Sequence, residues 1–188
     1  MNNKLGQELE ILESGTSEDK IKILEILEST DDFKIIKKMI NCLDDSDIKV
    51  RGEAFSSLIL NKNKIGNLLI ESLNDPSKNT RGFGALVLAN RNDTSAISAI
   101  IDLVNDESSI VRSCALGALG HLRAKGAKEI VHNCILDSDL EVRKSALQAL
   151  INLEGEISEK EILEISKEKD FEIEHLITKL KKSGPEGI

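Results

Sequence analysis

The chain has 188 residues, with 25 Lys and Arg against 33 Asp and Glu and a formal net charge of -8. Its 40% hydrophobic content is enough for a folded core and too high for a disordered chain. The four aromatics are all Phe (Phe33, Phe55, Phe83, Phe171), too few for a base-stacking platform, and the acidic balance argues against a phosphate-backbone binder.

The first segment, MNNKLGQELEILES, lacks an apolar signal region and carries Glu8, Glu10 and Glu13. It reads as neither a secretory signal nor a transit peptide, and no later stretch approaches the ~20 apolar residues of a membrane span. A cytoplasmic protein without membrane contact is expected. SEDKIKILEILES follows, a helical pattern with Ile23, Leu24 and Leu27 on one face.

From residue 34 to residue 153 the chain repeats itself. LDDSDIKVRGEAFSSLIL, LNDPSKNTRGFGALVLAN, VNDESSIVRSCALGALGH and ILDSDLEVRKSALQALIN align on Arg51, Arg81, Arg112 and Arg143, spaced 30, 31 and 31 residues apart. Six positions before each arginine stands Asp45, Asp75, Asp106 or Asp137. Four before it stands Asp47, Ser77, Ser108 or Asp139, each a good N-cap because a short side-chain oxygen can accept from the free N–H groups of the next helix. Three after it comes a tiny residue (Ala54, Gly84, Ala115, Ala146), and seven after it a leucine (Leu58, Leu88, Leu119, Leu150). Offsets +3, +4, +6 and +7 form the expected core face of a second helix. Leu43, Leu73, Val104 and Ile135, together with Met39, Leu69, Ile100 and Val131, mark the buried face of a first helix before each aspartate.

The period continues in degenerate form at both ends, through Lys20 within residues 1–33 and Glu174 within residues 154–182. Terminal units of a helical stack need a polar outer face, which accounts for the loss of pattern. Length divided by the period gives about six helix pairs, with residues 183–188 expected to fray. The expectation is one all-α unit over 1–188: a right-handed α-α superhelix of antiparallel helix pairs.

The pattern D-x-(D/S)-x-x-V-R-x-x-A-x-x-x-L resembles the HEAT-like repeats named from phycobilisome (bilin) lyases, with Thr80 and Gly84 departing from the valine and alanine positions. The resemblance implies a HEAT/armadillo-like stack and a structural ladder of Asp45, Arg51, Asp75, Arg81, Asp106, Arg112, Asp137 and Arg143 along the turns. The residues alone agree. An arginine just inside the second helix can reach a turn aspartate of its own or the neighbouring unit, and the carbonyls that end the first helix.

Catalytic and metal-binding patterns are missing. His121, His132 and His175 form no HExxH or His-Glu pair, and no GxSxG or Walker A motif occurs. Cys42, Cys114 and Cys134 are odd in number and contain no CxxC, which fits small hydrophobes in a reducing compartment rather than a disulfide framework. No catalytic residue, metal or cofactor is assigned. Residues 33–63 hold 6 basic and 4 acidic groups, whereas residues 1–32 hold 3 and 9. Offsets +2, +5 and +9 should look outward. Among them Glu53, Phe83, Leu86, Asn90, Cys114, His121, Ser145, Gln148 and Asn152 form the candidate partner-binding face. Phe83 and Leu86 stand where solvent is expected, as in a shallow apolar contact with a polar rim. The expected function is a monomeric, non-catalytic scaffold for another protein or peptide. The alternatives are an enzyme-associated factor of bilin-lyase or cofactor-maturation type, and nucleic-acid binding.

Overall fold

Helix boundaries follow from capping chemistry. In the computed structural model, which describes residues 2–183, every described element is helical. Within the part of the chain up to Arg91 the helices are α1 (Asn2–Ser14), α2 (Ser17–Ile26), α3 (Phe33–Asn41), α4 (Ile48–Leu60), α5 (Gly66–Ser72) and α6 (Lys78–Asn90). From Asn92 onward they are α7 (Ile97–Asp102), α8 (Ser109–His121), α9 (Lys128–Asn133), α10 (Leu140–Asn152), α11 (Glu159–Ile165) and α12 (Phe171–Ser183). Among the described residues there are thus six pairs, on the period read from the sequence. The stretch expected to fray lies, beyond Ser183, outside the described residues.

The two compact units, 1–91 and 92–188, are built on the same plan. In the first, α1, α3 and α5 pack in one layer and α2, α4 and α6 in the other. In the second, α10 packs against both α8 and α12, while α7 and α9 cover α8 and α10. The first helices of the inner pairs are short. α7 and α9 have six residues each and close in 3-10 turns, Leu103–Asn105 and Cys134–Leu136.

The period-defining positions make the cores. Leu58, Leu88, Leu119 and Leu150 are fully buried, as are Ala54, Ala115 and Ala146. Small residues set the closest helix approaches. A Cβ on Gly84 would lie 2.9 Å from Ser72 Oγ, and one on Gly120 would lie 2.9 Å from Ala149 Cα, a backbone atom of α10. A buried polar exception at offset +6 is satisfied: Ser57 Oγ donates to Leu24 O at 3.0 Å.

Asp47, Ser77 and Asp139 cap α4, α6 and α10 through their side chains. Ser108 occupies the same position before α8 without a side-chain cap bond. At the other ends, Asn92, Arg123 and Glu154 take left-handed φ values of 54°, 49° and 56°, again 31 residues apart. These residues end the second helices with wrapped-back bonds such as Ala124 N to Leu119 O (3.1 Å) and Gly155 N to Leu150 O (2.8 Å).

Candidate functional site

The turn between the helices of a pair is built around its arginine. Each aspartate of the 45, 75, 106, 137 series accepts through Oδ1 from the N–H two residues on, at 2.8–2.9 Å, which tightens the turn. Each arginine then inserts Nη1 between two backbone carbonyls of that turn. Arg51 donates to Asp45 O (2.7 Å) and Ser46 O (3.1 Å), and Arg81 to Asp75 O (2.8 Å) and Pro76 O (2.9 Å). Arg112 donates to Asp106 O (2.9 Å) and Glu107 O (3.3 Å), and Arg143 to Asp137 O (2.7 Å) and Ser138 O (3.2 Å). The contact within each turn is therefore with backbone oxygen, and the aspartate side chain faces elsewhere.

The carboxylate is available to the preceding pair. Arg112 holds Asp137 bidentately, Nε to Oδ2 and Nη2 to Oδ1, both at 2.9 Å. Lys20, which stands in the arginine register of the first pair, donates to Asp45 at 2.7 Å. Burial alone would raise the Asp45 and Asp137 pKa values, but the bonds from Lys20 and Arg112 and from the turn N–H groups outweigh it and hold both carboxyls below their ordinary range. The Asp137 bond in turn raises the Arg112 pKa. Arg91 makes a comparable clasp outside the register, donating to Leu58 O (2.8 Å), Asn63 O (2.9 Å) and Asn61 O.

Glu161 closes a capping box with Ser158 at the start of α11 and also meets His132 Nε2 at 2.8 Å. The Ser158 hydroxyl and N–H, with His132, bring its pKa down to about 2. A group depressed in the folded state contributes stability that is complete above its unfolded value and lost as pH falls through the folded one. The urea midpoint should therefore fall between about pH 5 and pH 2 as Asp45, Asp137 and Glu161 take up protons. Glu161→Gln should make that fall shallower; an identical pH profile would remove Glu161 from the account.

The candidate partner-binding residues occupy two separate settings. Phe83 and Leu86 of α6 are half-buried and line a groove with Ile48, Arg51, Gly52 and Phe55 of α4. The cavity is about 280 Å³ and its exposed lining is almost wholly apolar. Phe55 at offset +4 was expected in the core. It is half-buried instead, since it is far larger than Ala85 at the same offset in the next pair, and its ring lies along the groove. Besides Gly52, the periodic reading missed Ile48, which is 72% exposed. Its signal was an isoleucine at the first position of a helix, where the next pair has Lys78. Gly52 leaves open space, because a Cβ there would meet nothing within 4 Å. Glu53 is half-buried and accepts from Ser57 Oγ at 3.2 Å, and exposed Asn90 donates to Leu86 O at 2.8 Å.

Cys114, His121, Ser145, Gln148 and Asn152 lie on α8 and α10 in the second unit. Cys114 and Ser145 are half-buried; His121, Gln148 and Asn152 are exposed, with Gln148 Nε2 donating to Asn152 Oδ1 at 3.2 Å. Burial pushes the Cys42 and Cys114 thiols up to about 11 and raises Cys134, so all three stay protonated and are poor nucleophiles at neutral pH. Among the described residues no group of three or more His, Cys, Asp or Glu could hold a metal ion, and no helix is long and apolar enough to cross a membrane.

Comparison with known proteins agrees with this architecture. The family model of HEAT repeats matches residues 66–151. Among curated proteins, none matches the sequence. Similar solved structures include an engineered protein, 17% identical, with a TM-score of 0.57 over 95% of this chain and 96% of that one. A designed armadillo repeat protein in complex with the peptide (KR)4 is 16% identical, with a TM-score of 0.56 over 94% and 98% of the two chains. Computationally designed armadillo repeat proteins for modular peptide recognition give 16% identity and a TM-score of 0.50 over 94% and 97%. Residues 66–151 thus match the HEAT-repeat family model, and the all-helical fold of the chain is similar to that of designed armadillo repeat proteins.

Proposed function

We propose that this protein is a non-catalytic interaction module that holds a segment of another protein in the groove between α4 and α6. The observation that carries the reading is the groove itself. Ile48, Phe55, Phe83 and Leu86 present apolar surface on neighbouring second helices, around a shallow depression of about 280 Å³. Such a surface suits side chains of a peptide better than a small substrate that must be enclosed. Two of the solved structures similar in fold are described as binding or recognising peptides, which supports the same use here. The period crosses residues 91 and 92 without a break, which supports reading 1–188 as one repeat array. The buried and half-buried free thiols fit a reducing, cytoplasmic setting.

Selection of random peptides displayed on phage tests the proposal. Enriched peptides should bind the natural chain and lose about tenfold or more in affinity on Leu86→Gln or Phe83→Asp, because each places a polar group on the apolar floor. Gly52→Gln provides a folded control variant, since it fills open space and improves helix propensity while obstructing the groove. Peptides that bind all three variants as well as the natural chain would overturn the reading.

A further inference from the structure

We propose that the segment held in this groove carries a carboxylate next to a large apolar side chain, and that the carboxylate docks on the Nε/Nη2 edge of Arg51. The inference rests on the interaction reading above and specifies the chemistry of its partner.

In Arg112, Nη1 fastens the turn carbonyls, and the Nε/Nη2 edge is filled by the Asp137 carboxylate of the following pair. Arg51 uses Nη1 in the same way, on Asp45 O and Ser46 O. Its Nε and Nη2 have no hydrogen-bond partner among the described residues, and no carboxylate forms an ion pair with it. Asp75, the aspartate of the following pair, makes the same turn bond from Ser77 N that Asp137 makes from Asp139 N, but forms no ion pair with Arg51. Asp47 feels the Arg51 charge but caps α4 through Lys49 N at 2.8 Å. Asp45 is held by Lys20.

Among the described residues, Arg51 is also the one charged side chain that lines the apolar groove. Its turn bonds fix the guanidinium plane, so the edge is preorganised for a planar, two-oxygen acceptor. Beside it Phe55, Phe83 and Leu86 offer apolar surface. Fork and floor together fit a short motif with Asp, Glu or a terminal carboxylate close to Leu, Ile, Met or Phe. The charge is opposite to that suited to a basic peptide such as (KR)4, the ligand of one designed protein of similar fold.

A peptide array tests this with defined probes. Each spot presents one large apolar residue in a Gly-Ser background, with Asp or Glu, Asn or Gln, or Lys or Arg placed one to four residues away. Retention on the acidic spots should exceed that on the matched amide spots by about tenfold, the difference expected between charge-assisted and neutral hydrogen bonds. Arg51→Gln should abolish that preference, and Arg51→Lys should reduce it, since an ammonium lacks the two-pronged edge. A circular dichroism melt of each variant identifies any loss of folding; Gly52→Gln, which leaves Arg51 in place, should lower retention on all acidic spots. Equal retention of acid and amide spots that still depends on Leu86 would overturn the carboxylate proposal and leave the groove reading standing. Retention only on basic spots would overturn it as well. If no spot is retained in a Leu86-dependent way, both fall.

Discussion

Replacing Arg112 with alanine is expected to lower stability by about 2–4 kcal/mol, read as a fall in the urea midpoint at an unchanged slope. The side chains of Arg112 and Asp137 are each 15% exposed, so both charges sit largely out of water. Truncation removes two hydrogen bonds to turn carbonyls and the two-pronged contact with Asp137, and leaves an anion and two carbonyl oxygens short of donors. Arg112→Lys should fall between the natural chain and alanine. Lys20 already holds Asp45 at 2.7 Å, but an ammonium cannot also clasp its own turn in the way the fork does. An unchanged midpoint for Arg112→Ala would show that the turn arginines are ornamental to stability.

Leu119→Ala should cost about 2–5 kcal/mol, the range for removing a large aliphatic side chain from a packed core. Leu119 is fully buried in α8, at the offset where every clear repeat has leucine. The helices around it are tied by their own packing and cannot close the void cheaply. Leu163→Ala is the matched control: that side chain is 73% exposed, and its loss should change stability by no more than about 0.5 kcal/mol. Equal effects of the two substitutions in urea melts would contradict the assignment of the core.

The helix pairs and their cores were legible in the sequence because they depend on local, recurring chemistry. Asp47, Ser77 and Asp139 cap helices for reasons visible in a few residues, and the leucine at +7 follows from helical spacing. Ser108 shows the limit, since its position was readable and the rotation of its hydroxyl was not. The arginine register was also plain, but carbonyls and carboxylates are both acceptors. Only the fold shows Nη1 going to the turn of the same pair and the opposite edge of Arg112 going to the following one. Phe55 was misplaced because offset +4 is small or aliphatic in the other clear repeats (Ala85, Leu116, Leu147), and all three of those are buried. A phenyl ring does not fit the same slot, so it moves to the rim and forms half of the groove. Phe83 and Leu86 were identifiable as apolar residues on a polar face; their companions Ile48 and Gly52 belong to the neighbouring helix, which periodicity within one helix does not reveal.

The contact of position 120 with Ala149 has a consequence for how this chain can diverge. With so little room above the glycine hydrogen, position 120 is set by the main chain of the neighbouring helix. A methyl group gained at 120 would still meet the Cα of residue 149 at 2.9 Å if the methyl group of 149 were given up, so it must be answered by a shift of the α10 backbone itself. Sequence drift at this joint is thereby closed to side-chain compensation, because the obstacle is main chain.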